Sequence, residues 1–257
     1  MSQQTHFQPP TQPTNPQPQF GMPTPQEANI ESGSFQGGNY RVTHRHTNSI
    51  LTLDLANGHT IRARPGAMVH MGPQVDLQGN FKFSFKKMFT GGSMNYSTFS
   101  GSGPVALAPL LFGDITTIPV RGDGQWNISK HAFLACTQDV VRESKSQGFM
   151  KAIFGGEDLF IYQISGSGML WVSSFGAIER IDLREGQEHI VDNGHLVAWS
   201  CQYQIEKAGG GTMNSLKSGE GVVCRFRGPG AIYCQTRNQD DFEEYIVQVA
   251  KPRNSGQ

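Results

Sequence analysis

From Phe35 onward the chain alternates between apolar and polar residues with a period of two, and each alternating run ends in a glycine-rich stretch. This pattern is typical of half-buried β-strands rather than helices. The run Ile50–Leu55 leads into Asn57-Gly58, a dipeptide that favours a hairpin turn. Because a two-residue hairpin would place its leucines on one face with Arg62 and Arg64, the sequence predicts a bulge or a longer loop there instead.

The alternating pattern also repeats itself along the chain. Three apolar triplets recur at a nearly constant spacing: Ile50, Leu53 and Leu55; Ile115, Ile118 and Val120; Ile178, Ile181 and Leu183. The stretch Phe99–Gly103 likewise returns as Ile164–Gly168 and as Phe226–Gly230. Self-similarity at a fixed period, here about 64 residues, indicates one structural unit copied in tandem. The sequence therefore predicts an all-β protein of three β-sandwich-like repeats, at about residues 50–114, 115–177 and 178–237.

The N-terminal segment, residues 1–31, has a different composition, dominated by Gln, Pro, Thr and Asn. Such a segment cannot bury enough apolar surface to offset the entropy that it loses on ordering, so the sequence predicts a disordered tail. The folded domain is expected over about residues 35–250.

The C-terminal segment changes from a period of two to the period of a helix. Phe242, Tyr245, Ile246 and Val249 fall on one face of a helix, and Asn238 is suited to cap its first turn. The sequence predicts one amphipathic helix at residues 240–250.

Charge and cysteine content argue against several classes of protein. Lys+Arg and Asp+Glu number 21 each, whereas nucleic-acid-binding proteins usually carry a basic surplus, so we expect no nucleic-acid partner. The four cysteines show no C-x-x-C spacing for zinc or redox chemistry. A symmetric hairpin around Pro229 would place Cys224 opposite Cys234, although two buried thiols in a reducing compartment are the favoured interpretation.

Motifs of the common enzyme classes are not readable in this chain, so we assign no catalytic or cofactor-binding residue and expect no enzymatic activity. Thr43-His44-Arg45-His46 would place two imidazoles on one strand face, a spacing that metal sites in β-barrels use. The residues that follow supply no third ligand. His44 and His46 remain the only metal candidates, and a cupin-like, metal-dependent small-molecule enzyme or binder is the alternative function.

Two segments that are both basic and aromatic, Phe85–Gly92 and Phe149–Gly156, occupy matching positions in the first two repeats. Each is either a helical turn packed on its own sheet or a surface for a partner or a membrane. No apolar run approaches the roughly 18–20 residues needed to span a bilayer.

Several glycine-rich segments resemble the altered-inheritance-of-mitochondria (mitochondrial biogenesis) family: Arg64–Val69, the Gly-Gly and Gly-Ser-Gly order within 91–103, Ile164–Gly168, Phe175–Ile178 and Phe226–Tyr233. The resemblance covers about residues 35–250. It implies a mitochondrial location and a role in inner-membrane organisation, with no cofactor and no known catalytic residues. Bacterial relatives are similar in fold to the tryptophan-RNA-binding attenuation protein, with duplicated β-sandwich units assembled as rings. The first basic residue is Arg41, so no presequence is readable and a cytoplasmic location is the alternative.

Tandem sheet units end in strand edges, which must be paired or covered. We therefore expect a non-catalytic scaffold that works as a homo-oligomer, with a trimer as the expected size. Its expected partner is a mitochondrial inner-membrane protein or a lipid surface. A ring that binds RNA is a further alternative.

Overall fold

The structure is a computed structural model, and it describes residues 30–79, 96–122, 124–146, 160–207 and 222–250. These residues form strands almost throughout, with one α-helix, which confirms the all-β class. The elements are β1 (Glu31–Phe35), β2 (Gly38–Thr43), β3 (Ile50–Ala63), β4 (Met68–Met71), β5 (Val75–Gly79), β6 (Ser97–Leu107), β7 (Ile115–Val120), β8 (Trp126–Ser129), β9 (Phe133–Thr137), β10 (Val140–Ser146), β11 (Phe160–Gly166), β12 (Gly168–Ser173), β13 (Ile178–Leu183), β14 (Glu188–Asp192), a 3-10 turn (Asn193–His195), β15 (Leu196–Trp199), β16 (Gln202–Lys207), β17 (Val222–Arg227), β18 (Gly230–Gln235) and α1 (Gln239–Ala250).

The described strands pair into three sheets. The largest has nine strands, in which the path β1-β2-β3-β9-β12-β7 is joined by β6, which pairs with β3 and also carries β4 and β5. A six-stranded sheet has the order β10-β11-β8-β15-β18-β13, and a three-stranded sheet has the order β14-β17-β16. All the strand pairs are antiparallel, which suits short connections and one buried face.

Strand β3 passes straight through Asn57-Gly58 and forms no hairpin there. Its pairing with β6 slips between Leu55 and His59, and Gly58 has a φ of 86°, so the chain bulges at this point. The bulge that the sequence predicts is therefore present, within a single long strand.

Three strand pairs share one register. The matched partners are Leu55 and Gly103 in β3–β6, Val120 and Gly168 in β7–β12, and Leu183 and Gly230 in β13–β18. A second irregularity also recurs, because one residue is skipped where β4, β9 and β15 pair with β6, β12 and β18. The skipped residues are Val69, Leu134 and Val197, which are separated by the same spacing as the apolar triplets of the sequence.

The glycines of two Gly-Ser-Gly stretches allow close backbone approach. Gly101 has a φ of 117° and Gly166 a φ of 87°, and a Cβ at either would collide with a carbonyl oxygen, that of Gln74 or of Asp139. The same carbonyls accept hydrogen bonds from the next residues, Ser102 N at 3.2 Å and Ser167 N at 3.3 Å. These stretches therefore bend the strand from one pairing partner to another.

Apolar side chains between the sheets form three buried clusters. Trp171 lies in the first cluster beside Phe35 and Tyr40, Phe133 lies in the second, and Trp199 lies in the third between Tyr203 and Phe226.

The segments that connect these clusters are joined by backbone hydrogen bonds. Ser49 N donates to Gly113 O at 3.0 Å, Asp114 N donates to Gly176 O at 3.0 Å, and Thr236 N donates to Ala177 O at 3.1 Å. Each connecting segment is therefore tied to the next one along the chain.

The two ends of the domain meet the predictions in different ways. Residues 1–29 of the predicted tail lie outside the described residues, and Glu31 already belongs to β1. The helix α1 matches its prediction, and Asn238 Oδ1 accepts a hydrogen bond from Asp240 N at 3.0 Å. Its ring of Phe242 lies 5.2 Å from that of Phe175, but no residue of α1 is buried.

Candidate functional site: two unpaired strand edges

Strand β4 is an exposed strand in a protein whose strands are mostly buried on one face. All four of its residues are exposed, with Met68, Val69 and Met71 at 40%, 51% and 38%. Within the described residues β4 pairs only with β6, so its second edge is open. Natural edge strands usually carry charges that discourage pairing, whereas β4 offers two methionines, a valine and a histidine.

Strands β9 and β15 pair with β12 and β18, and each skips one residue at the position where β4 also skips one. Both strands are nevertheless buried along their whole length. The difference lies on their second edges. There β9 pairs with β3, with Ala135 opposite Ala63, and β15 pairs with β8, with Ala198 opposite Ile128. The two residue pairs are related by the spacing of the apolar triplets, since Ile128 follows Ala63, and Ala198 follows Ala135, at that spacing.

Strand β14 has the second open edge. Within the described residues it pairs only with β17, and its Glu188, His189 and Ile190 are exposed, with Ile190 at 47%. On the outer face Arg225 binds Glu206 at 2.9 Å and Glu188 at 3.5 Å, and the hydrogen bond from Arg225 lowers the pKa of Glu206. The ion pair engages Glu188, so the open edge of β14 presents His189 and Ile190.

The predicted placement of His44 and His46 is wrong. Strand β2 ends at Thr43, and His44 has a left-handed φ of 60°, which breaks the alternation that would bring both imidazoles to one face. Both residues are exposed in the loop before β3. No group of three His, Cys, Asp or Glu side chains within the described residues is placed to hold a metal ion.

Arg45, in the same loop, connects distant parts of the chain. Its guanidinium donates to Asp114 Oδ2 at 2.8 Å and to Glu31 Oε2 at 2.9 Å. Asp114 also accepts hydrogen bonds from Ser49 Oγ and from Ile115 N, both at 2.7 Å. The hydrogen bond to Asp114 raises the pKa of Arg45. Because Arg45 binds both Glu31 of β1 and Asp114, this cluster joins the first strands to the start of β7.

The hairpin that would place Cys224 opposite Cys234 does not form, and the two thiols are buried, as the favoured interpretation expects. Strand β17 belongs to the three-stranded sheet and β18 to the six-stranded sheet, because the chain crosses between them at Gly228–Gly230. All four cysteines are buried free thiols, and burial raises the pKa of Cys224 to about 12. Such thiols are poor nucleophiles.

Arg142 brings basic and aromatic groups together, an arrangement that the sequence does not reveal. Its guanidinium carbon lies 4.3 Å from the ring centre of Phe133, 4.4 Å from that of Tyr162 and 4.6 Å from that of Tyr96. Arg62 also approaches Tyr96, at 5.4 Å. Because Arg142 is only 8% exposed, this cluster is part of the core and offers no open face to RNA.

A cleft of about 340 Å³ lies between the turn after β1 and the ends of β7, β9 and β12. It contains one imidazole, of His59, and one carboxylate, of Asp139, among apolar side chains such as Phe35 and Met169. These groups do not make up a nucleophile with its base or a set of metal ligands.

The basic and aromatic segments Phe85–Gly92 and Phe149–Gly156 lie outside the described residues, so their role as contact surfaces stays a prediction. Among the described residues, no helix has both the length and the apolar composition needed to cross a bilayer.

The open edge of β4 is the feature that sequence reasoning missed. Met68 and Val69 align with the buried Phe133 and Leu134 at the spacing of the apolar triplets, so their composition alone indicates a half-buried strand. Only the position of β4 ahead of β9 and β15 could have indicated that no described strand covers its second edge.

Comparison with known proteins finds bacterial relatives. An uncharacterized protein of Streptococcus pyogenes serotype M6 is 34% identical over 211 residues, which covers 75% of this chain and 83% of that protein. The crystal structure of another Streptococcus pyogenes protein superposes with a TM-score of 0.66 at 29% identity, and covers 86% of this chain and all of that one. The family model described as mitochondrial biogenesis AIM24 matches residues 40–237. Its name suggests a mitochondrial link, and by this match the chain belongs to the AIM24 family.

Proposed function

We propose that this protein is a non-catalytic, homo-oligomeric scaffold made of three tandem units, whose chains join through the open edges of β4 and β14. The units are residues 50–114, 115–177 and 178–237. The observation that carries the proposal is the exposure of β4 at a position where β9 and β15 are buried by a neighbouring strand. The recurring registers and skipped residues support the tandem units.

The pairing between units within the chain specifies the pairing between chains. Inside the chain, Ala63 faces Ala135 and Ile128 faces Ala198. At the same spacing, Val191 is the next match after Ala63 and Ile128, and His70 is the match that precedes Ala135 and Ala198. Val191 of one chain would therefore lie opposite His70 of the next chain, and Ile190 opposite Met71. We call this β14–β4 contact the chain joint.

The chain joint removes apolar surface from water. Met68, Val69, Met71 and Ile190 are each between 38% and 51% exposed, and full burial of such a side chain is worth about 1.5–3 kcal/mol. The joint also pairs backbone groups on both open edges. The joint links different surfaces of identical chains, so repeated joints build either a closed ring or an open filament, and we propose a closed ring with a trimer as the expected size.

Light scattering of the purified protein at micromolar concentration and pH 8 tests the proposal. We expect a homo-oligomer for the native chain and single chains for Val69→Asp, which places a charge in the joint. Val247→Asp is the matched control, because Val247 is similarly exposed, at 58%, but lies on α1. A native chain that is a monomer, or a Val69→Asp variant that assembles normally, would contradict the proposal.

A mixing experiment tests whether the contact joins two different edges. Val69→Asp disables β4 and Ile190→Asp disables β14, so each variant alone should be monomeric. A mixture should form a dimer of one chain of each kind, through the intact β14 of the first and the intact β4 of the second. If Ile190→Asp forms dimers by itself, β4 pairs with another β4 and the ring geometry is wrong.

Family membership supports a role in mitochondrial biogenesis, and we propose that this role lies in the organisation of the inner membrane. In this proposal the ring displays each surface several times, so weak contacts with an inner-membrane protein or a lipid surface gain avidity. Fractionation of cells should place the native protein with mitochondrial membranes and Val69→Asp in the soluble fraction. Native protein found only in the cytosol would contradict this location, and stoichiometric metal lost on His44→Ala would contradict the non-catalytic assignment.

A further inference from the structure

Two histidines lie at the edges that the chain joint would cover. His70 is the third residue of β4 and is exposed in the single chain. Its counterparts in the two joints within the chain are Ala135 and Ala198, both 0% exposed. Assembly would therefore bury the imidazole of His70 at a position that is inaccessible to water, and occupied by alanine, in both joints within the chain.

His189 lies on the same face of β14 as Val191. The residues of β17 that pair with His189 and Val191 are the buried Phe226 and Cys224. Both side chains of β14 therefore lie on its core-facing side. His189 matches the buried Ile61 of the first unit, yet it is exposed because nothing among the described residues covers this edge. With Val191 opposite His70, His189 lies diagonally across the joint from His70, a separation of about 7–8 Å.

Within the described residues, the charged groups around His70 supply no counter-ion for its protonated form. From β14, Glu188 and Asp192 lie on the opposite face, where Glu188 approaches Arg225 and Asp192 Oδ1 accepts from Gly194 N. From β6, the residue paired with His70 is the buried Ala106. From the turn before β4, Arg64 reaches the Ala108 carbonyl at 3.4 Å and adds a second positive charge.

We propose that the chain joint is proton-sensitive, because it buries His70 of one chain diagonally opposite His189 of the next and so assembles only when both imidazoles are neutral. This inference rests on the proposed function. An imidazole in water titrates near pH 6.5. Burial without a carboxylate favours the neutral form, so assembly is complete above that pH and is lost as the pH falls through it. The association constant should fall up to about tenfold per pH unit for each imidazole.

Sedimentation velocity of the full chain at pH 8, 7, 6 and 5 and constant ionic strength tests the inference. We expect the oligomer at pH 8 and single folded chains at pH 5, with circular dichroism unchanged. The variant His70→Ala, His189→Ile carries residues found at the other joints and should remain assembled at pH 5. His59→Gln, between the first two units, is the control and should dissociate like the native chain.

The outcomes separate the two proposals. An oligomer that persists at pH 5 overturns the proton-sensitive joint and leaves the scaffold standing. Dissociation at pH 5 that is unchanged in the double variant also overturns it, because other groups then carry the effect. A monomer at every pH overturns both.

Discussion

Strand β4 pairs with β6, and β9 pairs with β12, in the same register and with a skipped residue at the same place. Strand β4 is nevertheless exposed along its length, whereas β9 is buried. Their sequences, Met-Val-His-Met and Phe-Leu-Ala-Cys-Thr, do not differ enough in hydropathy to explain this. The difference is one of neighbours, because β3 covers the second edge of β9 while no described strand covers that of β4. The exposure of β4 therefore reflects its position ahead of the other strands of its kind, where no described strand covers its second edge.

The largest effect should come from placing the same charge at the skipped residue of each strand. Leu134→Asp puts a carboxylate where the native side chain is fully buried, and we expect it to cost more than about 4 kcal/mol or to prevent folding. Val69→Asp should change the unfolding free energy of the single chain by less than about 0.5 kcal/mol. Urea unfolding followed by circular dichroism measures both, and equal losses would remove the distinction between the two strands.

The next effect concerns Arg142, whose guanidinium stacks on Phe133 of β9, whereas the residue that matches Arg142 by the spacing of the apolar triplets is Leu77 of β5. Arg142→Ala should cost about 3 kcal/mol, because it leaves a cavity among three rings. Arg142→Leu should cost less than about 1 kcal/mol, because it fills that space and removes a buried charge whose Nε has no partner. Both are measured on the Val69→Asp background, so that unfolding is not coupled to dissociation. A Leu variant as unstable as the Ala variant would show that the charge itself is required.

A smaller effect should depend on pH. His131 precedes β9 where an exposed glycine, Gly66, precedes β4, and burial lowers the pKa of His131 to about 4. Because the unfolded imidazole binds its proton near pH 6.5, stability is complete above that pH and falls as the pH drops from about 6.5 to 4. A pKa lowered from about 6.5 to about 4 corresponds to about 3 kcal/mol at full burial. Because His131 is only partly buried, we expect a loss of about 2 kcal/mol over this range in the Val69→Asp monomer. His131→Gln should flatten the profile, and an unchanged slope would assign the pH dependence to other groups.

The smallest effect should come from α1, which follows the last strand. Asn238→Ala removes the hydrogen bond to Asp240 N and should cost about 1 kcal/mol of helix stability. We expect faster amide exchange in α1 with no change in oligomeric state, since α1 takes no part in the chain joint. Loss of assembly in this variant would extend the joint to the helix.

Much of this fold follows from local sequence pattern. The period of two gives the strands, and the period of a helix with Asn238 before it gives α1. The bulge at Asn57-Gly58 also follows, because a hairpin would place Arg62 on the leucine face. These features depend on residues close together in sequence, whose side-chain directions the pattern determines.

Features that depend on distant partners could not be predicted. Cys224 and Cys234 look like hairpin partners until the chain changes sheets between them, and that crossing depends on which strands are free to pair. His44 has a left-handed φ in the loop from which Arg45 reaches Asp114, a residue 69 positions away. The open edge of β4 is a property of the whole arrangement.

The hydrogen bonds between connecting segments also bear on how the molecule comes apart. The segments Gly113–Asp114 and Gly176–Ala177 are each held from both sides, whereas the first and last segments, at Ser49 and Thr236, each have one such neighbour within the described chain. Opening either middle segment requires breaking contacts on both sides, while an outer segment can open by breaking one. We therefore expect a single chain to unravel from its ends inward, with the amides of the two middle segments the last of these to exchange, and ring closure to slow this unravelling by giving each end a neighbour.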